Sequence, residues 1–301
     1  MAAFTVLMVL LILFLMLNYM PGSPFNDEKL SPDQIQALYA KYNLDKPVLI
    51  RFFTYLKNML RGDFGVSYNI QKNYSVAKMI GERFPITLQI GLQAAVLGIV
   101  IGSLLGIVAA LKKGTAVDTI TTIISVLGVS LPAFVFALLL SFFFGYKWQL
   151  FPLLYSAKKP LQSTVLPTIA MSMFTLASVA RYTRSEMVEV MLSDYIQLAD
   201  SKGVTRAQLI FRHVLRNTMV GVITVVAPLV VNLLTGSLVV EKAFGVPGLG
   251  SLYIKAIQQN DYNVVLATSF IYSVLFIVVM LLVDILYGVI DPRIRLAKED
   301  T

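Results

Sequence analysis

Cysteine is absent from this 301-residue chain, and histidine occurs once, as His213. The first absence excludes a disulfide framework, and a single imidazole cannot build the Cys/His clusters that hold a structural metal. Charge is scarce as well, at 14% of residues against roughly a quarter in soluble domains. Acidic side chains are the scarcer sign, 17 against 25 basic ones, for a net charge of +8. A basic excess raises the question of nucleic acid, but no aromatic-basic RNA module accompanies it, so no nucleic-acid partner is expected. Basic loops facing an anionic membrane leaflet account for the excess.

What the chain does have is apolar length, with 57% hydrophobic residues. A spanning helix needs roughly 20 mostly apolar residues. Six stretches free of Asp, Glu, Lys and Arg meet that need: 1–26, 86–111, 119–146, 160–180, 217–240 and 262–283. The first is too long for the apolar region of a signal peptide, and no Ala-x-Ala site follows it, so it reads as a retained helix. The expected fold is therefore an all-α membrane protein with six transmembrane helices crossing the lipid bilayer. Orientation follows from the loops. The segments after the second, fourth and sixth stretches carry Lys112, Lys113, Arg181, Arg184, Lys202, Arg206, Arg212, Arg216, Arg293, Arg295 and Lys298. The short opposite loops carry only Lys147, Lys158, Lys159, Lys242 and Lys255. By the positive-inside rule both termini and the polar segment 194–217 are expected in the cytoplasm.

Between the first two stretches, residues 21–85 are too many for a simple connection. Ser31 is placed to cap a helix with Pro32 at its first position, and Leu38, Tyr42, Phe52, Tyr55, Leu56 and Met59 recur at helical spacing. Short external helices packed on the membrane domain are expected there. The second stretch carries Ala94, Gly98, Gly102, Gly106 and Ala110 at a period of four, a pattern that lets two helix backbones approach closely in lipid. Pro132 permits a kink in the third helix, and the fourth begins near Pro160 and Pro167. Gly245, Gly248 and Gly250 surround Pro247 in segment 241–262. No Lys-Ser or Lys-Thr pair follows them, so the glycines read as a tight turn leading to a short helix at 252–259 that caps the pore mouth, and not as a phosphate cradle.

Catalytic constellations are missing. Ser130 lies in the third helix, and His213 is placed on the cytoplasmic side, out of reach as its base. Asp284 is an acid within a membrane helix, and pairing near the cytoplasmic interface explains it better than a proton relay. No energy source is visible in the chain. The polar segment DYIQLADSKGVTRAQLIFRHVLRN, 194–217, instead reads as a helix, a turn at Gly203 and a second helix opened by a Thr205 to Gln208 capping box.

That segment resembles the EAA loop of the inner-membrane permease subunits of binding-protein-dependent ABC importers, the peptide and nickel class. Ala199 stands at the second alanine, Gly203 at the signature glycine and His213-Val214-Leu215 at the closing segment, while Gln197, Leu198 and Arg216 depart from the commonest pattern. Further fragments resemble the B-type permease subunit of peptide importers, in order along the chain. They are Pro21-Gly22-Ser23-Pro24, Asn43-Leu44-Asp45-Lys46-Pro47, Gly62-Asp63-Phe64-Gly65-Val66-Ser67, Arg83 with Pro85-Ile86-Thr87-Leu88, Glu241 with Phe244, Pro247-Gly248-Leu249-Gly250, Asp261-Tyr262 and Asp291-Pro292-Arg293-Ile294-Arg295-Leu296.

The resemblance implies a type I importer architecture in a bacterial inner (cytoplasmic) membrane. Its parts would be a first transmembrane helix at 1–20, an extracellular helical segment at 21–85, a permease domain at 86–290 and a cytoplasmic tail at 291–301. The chain would be a transport subunit and not an enzyme, with no cofactor of its own. It would pair with a second homologous permease subunit, two ABC ATPase subunits that bind ATP and Mg, and an extracellular peptide-binding protein that delivers the peptide substrate. Ala199, Asp200, Ser201, Lys202, Gly203, Val204, Thr205 and Arg206 would couple to an ATPase. Ser172, Thr175, Asn232 and Thr235 are the candidates for the translocation path, and Asp63, Glu241, Pro247 and Gly248 for docking the binding protein. The family's basic arm before the first helix is missing, which implies an abbreviated or trimmed start. Nickel or another small solute is the alternative cargo. A stand-alone channel, a secondary transporter and a sensory membrane protein are the alternative classes.

Overall fold

The structure, a computed structural model, describes residues 2–19, 31–42, 44–234, 236 and 238–290. Among them every regular element is helical, and the only β pairing is an isolated bridge between Val66 and Ser75. The helices are α1 (Ala2–Tyr19), α2 (Pro32–Lys41), α3 (Val48–Met59), α4 (Val76–Leu111), α5 (Ala116–Ser130), α6 (Ala133–Leu140) and α7 (Pro160–Met191). They continue as α8 (Asp194–Ser201), α9 (Arg206–Gln208), α10 (Leu215–Leu234), α11 (Leu238–Ala243), α12 (Leu249–Gln258) and α13 (Tyr262–Ile290). Two π-helical segments, Ser141–Lys147 and Leu209–Val214, follow α6 and α9.

Four helices are long and apolar enough to cross a membrane: 76–111, 160–191, 206–243 and 262–283. The pair 116–130 and 133–147 makes a fifth span if it is counted as one. The described part of α1 is apolar but falls short of that length. The third apolar stretch is therefore not the single helix the sequence suggested. Its halves meet at 108°. Pro132 is the N-cap of α6, where it has no N–H to give to α5, and Leu131 before it takes the extended backbone that proline imposes. Helix α4 also starts at Val76, before the expected boundary, and carries Pro85 inside it.

The chain divides into two compact units, one of 1–87 with 247–277, the other of 88–246 with 278–301. In the first unit, Leu10, Phe14, Phe52, Met59 and Leu266 form one buried cluster and join α1 and α3 to α13. A second cluster sets Val76, Met79 and Ile80 against Leu249, Leu252 and Ala256 of α12 and against Val264, Val265 and Ala267 of α13. The short helix after the glycine turn is thus a core element of this unit. Helix α2 begins as the sequence indicates, with a reciprocal capping box. The Ser31 hydroxyl accepts from the Gln34 N–H at 3.3 Å, and the Gln34 amide oxygen accepts from the Ser31 N–H at 3.0 Å.

In the second unit, α7 is the central post. The small stripe of α4 lies against it so closely that a Cβ on Gly102 would stand 2.7 Å from the Leu176 carbonyl oxygen, and one on Gly106 2.6 Å from that of Ala180. Helix α5 makes the same kind of approach, since a Cβ on Gly128 would meet Ala177 Cβ at 2.7 Å. With lipid replacing water outside, such contacts supply dispersion where hydrophobic drive is missing.

Candidate functional site

The segment between α7 and α10 is built as a stiff, anchored projection. Helix α8 ends in a Schellman turn: the Val204 N–H reaches the Ala199 carbonyl at 3.3 Å and the Gly203 N–H reaches that of Asp200 at 2.9 Å. This closure needs the left-handed backbone, and Gly203 has φ +78°. Thr205 then caps α9, its hydroxyl accepting from the Gln208 N–H at 3.5 Å. The capping box foreseen here is therefore half made, because Gln208 gives no return bond.

The projection is fastened from beneath. Ile196 of α8 and Val214 of the π segment are buried with Ala110 at the end of α4 and Met187 near the end of α7. Asn217 donates to the Tyr195 hydroxyl at 3.0 Å, which ties the start of α8 to α10. On the outer side Asp200, Ser201, Lys202, Gly203, Thr205 and Arg206 are all exposed, with Ala199 and Val204 half-buried. Nothing lies within 4 Å of a Cβ added to Gly203. Beside these polar groups stand large apolar side chains in the open: Leu192 at 65%, Leu198 at 56% and Phe211 at 74% exposure. Charged and large apolar side chains thus lie exposed together above a buried base.

The sequence reading had no signal for the π segment 209–214. It joins the projection to the long α10 without a break, within one membrane-length helical run of 206–243. Such single-turn π segments recur at functional sites. A second feature it missed is the contact between Asp118 and Arg184. Asp118 accepts from Arg184 Nε and Nη2, both at 2.9 Å, and from the Gly114 N–H at 3.0 Å. It fixes the start of α5 to α7, and its sequence separation hid it.

The other candidates fall in different places. Ser172 and Thr175 are buried where α7 meets Gly98 of α4, and the Ser172 hydroxyl donates to its own helix at Ile169. Asn232 is exposed on α10. Thr235, the Pro21 to Pro24 fragment, Asn43, the Asp284 side chain and the Asp291 to Leu296 fragment lie outside the described residues. In the first unit Asp63 and Pro247 are exposed and Gly248 is buried. In the second, Glu241 is 2% exposed in α11. The cavity of about 270 Å³ beside Ser130 is lined by Gly128, Phe136, Ala170, Met173 and Phe174 among others, with no imidazole, amine or carboxylate to act as a base.

Several of the short fragments meet in space within the first unit. The Asp261 carboxylate, fully buried, accepts from the Ser67 hydroxyl and from the N–H groups of Tyr68, Asn69 and Ile70 at 3.1–3.2 Å. The Thr87 hydroxyl oxygen accepts from the Leu249 N–H at the start of α12, at 2.8 Å. Burial pushes the Tyr68 hydroxyl up to about 12. It also raises that of Tyr55 and lowers the Arg51 guanidinium below its ordinary value.

Comparison with known proteins agrees with this architecture. Residues 102–296 match the binding-protein-dependent transport system inner membrane component family. The chain is 40% identical over 292 residues to the dipeptide transport system permease protein DppB of Lactococcus lactis subsp. cremoris, covering 97% of this chain and 95% of that protein. It is 37% identical over 292 residues to the oligopeptide transport system permease protein OppB of Salmonella typhimurium, covering 97% and 95%. A crystal structure of an amino acid ABC transporter with histidines shares the fold, with a TM-score of 0.54 at 14% identity over 70% of this chain and 93% of that one. The apolar helices, the anchored projection and near-full-length similarity lead to one conclusion: the chain is a multi-pass membrane protein belonging to the family of binding-protein-dependent transport system inner membrane components.

Proposed function

We propose that the chain is the membrane-spanning permease subunit of an ATP-driven importer of short peptides, and that residues 194–217 receive the motion of an ATPase partner. The observation that carries this reading is the exposed, rigidly based projection around Gly203, continuous with α10 and fastened to the ends of α4 and α7. An element that transmits work must be stiff at its base and must bind its partner differently in the two states, or no equilibrium is shifted. A lipid-binding interfacial helix would need neither the Schellman turn nor the exposed glycine.

In this reading the two ATPase subunits bind and hydrolyse ATP with Mg, and one of them grips the knob formed by Leu198, Lys202, Arg206 and Phe211. A second, homologous permease subunit completes the translocation path. Asp63 and Pro247, exposed on the first unit, receive the extracellular binding protein, and both chain termini lie in the cytoplasm. Peptide is favoured over nickel as cargo because the similar full-length proteins are named for dipeptides and oligopeptides.

Co-expression with the neighbouring transport subunits, followed by reconstitution in proteoliposomes, tests this. ATP-dependent accumulation of a labelled dipeptide is expected only when the ATPases and the binding protein are both present. Flux through the chain alone would instead make it a channel or a secondary transporter.

A further inference from the structure

The first unit holds a cavity of about 540 Å³ that is separate from the projection, within the range of roughly 300–1,000 Å³ typical of small-molecule sites. Its apolar wall comes from Phe14, Tyr55 and Leu266, and its polar groups include Arg51 and Asp63. Arg51 is half-buried. It donates one hydrogen bond, to the Leu44 carbonyl at 3.3 Å, and lies 5.8 Å from the Phe14 ring centroid. Among the described residues no ion pair joins it to a carboxylate, although Asp45 is near enough to favour its charge. A guanidinium keeps its charge and carries five N–H donors in a planar fork. Partly withdrawn from water and hydrogen-bonded only to the Leu44 carbonyl, it leaves most of that capacity unmet beside a cavity that it lines. Lys41 and Lys46 line the same cavity and make it electropositive overall.

We propose that this cavity binds a short peptide by its C-terminal carboxylate, held by Arg51, with Asp63 at the exposed rim receiving the α-ammonium group. The planar fork matches a carboxylate in bidentate geometry. Asp63 spends one oxygen on the Gly65 N–H at 2.9 Å and has the other to offer. A zwitterion uses both charges, whereas a lipid phosphate would use only the cations. The aromatic walls accept varied side chains without selecting among them. This site rests on the peptide-importer reading and adds to it a peptide contact on the permease itself.

The test uses the assembled permease and ATPase complex in nanodiscs with three probes: a diazirine-labelled Phe-Ala dipeptide, its C-amidated analogue and a photoactivatable phosphatidylglycerol. The dipeptide is expected to label residues within 41–68. Amidation or Arg51→Gln should cut that labelling by at least about tenfold, the worth of a hydrogen-bonded charge. Asp63→Asn, on the exposed rim, should weaken it as well and serves as the variant if Arg51→Gln fails to assemble. Equal labelling by the amidated analogue, or lipid labelling that replaces the peptide at those residues, overturns the proposal. Dipeptide uptake is measured in parallel. Uptake that persists without labelling refutes the cavity alone, and absence of ATP-driven uptake refutes the importer reading beneath it.

Discussion

Asp261 is a carboxylate with no exposure to water whose acceptors are met by three backbone N–H groups and a hydroxyl. Hydrogen bonds to a charged group are worth about 1.5–3 kcal/mol each, and stranding buried donors adds their desolvation cost. Asp261→Ala should therefore lower the thermal midpoint of the purified protein sharply and open the 66–75 loop to limited proteolysis, while Asp63→Ala, which removes only the bond to the Gly65 N–H, has a much smaller effect. Tyr68 gives a pH signature. Its hydroxyl is held at about 12 against an ordinary 10.0, mainly by burial, so between those values the folded protein retains a proton that the unfolded chain releases. Stability is full below pH about 10 and falls as pH rises towards 12, by about 2–3 kcal/mol for a two-unit shift. Tyr68→Phe should flatten that decline in alkaline thermal melts. The sequence showed Asp261-Tyr262 and Gly65-Val66-Ser67 as fragments worth noting. That they form one site was hidden, because hydrogen bonding across 194 residues leaves no local pattern.

Among the elements, the period-four stripe of α4 was readable because backbone contact tolerates only small residues. The glycines differ in what that contact demands. Gly106 faces the Ala180 carbonyl oxygen at 2.6 Å for an added Cβ, whereas Gly81 of the same helix has nothing within 4 Å and an ordinary φ. Gly106→Ala should separate α4 from α7 and reduce the yield of assembled protein. Gly81→Ala should be neutral or stabilise by up to about 1 kcal/mol, the helix-propensity difference. Equal effects in the two variants would contradict the packing argument. The ion pair between Asp118 and Arg184 is partly solvated, with side-chain exposures of 9% and 30%, and so is worth less than a fully buried pair. Arg184→Lys loses the two-point geometry and should cost about 1 kcal/mol, measurable in a double-mutant cycle with Asp118→Asn. The break at Pro132 was only half legible. Proline announces a kink, but whether the helix bends or turns through 108° depends on what packs against each half.

At the level of the whole molecule, apolar stretches and positive loops gave the membrane character, while the division into units was illegible. The first unit joins residues 1–87 to 247–277, an assembly that no boundary in composition marks. Segment 194–217 was the reverse case. Its glycine turn and cap are local, so the sequence displayed them, and folding added the anchoring of Ile196 and the π segment that leads into α10. Gly203 is therefore the residue on which transmission of work depends in the proposed function. Its backbone at φ +78° admits asparagine but penalises a β-branched residue by roughly 1–2 kcal/mol, and no neighbour would obstruct a side chain. The direct measurement is ATP hydrolysis and dipeptide uptake by the reconstituted importer carrying Gly203→Asn or Gly203→Val. The expected result is near-normal uptake for asparagine and, for valine, loss of uptake together with loss of binding-protein-stimulated ATP hydrolysis. Normal coupled uptake with valine, in a complex that retains both ATPases, would contradict the claim that this projection transmits the work.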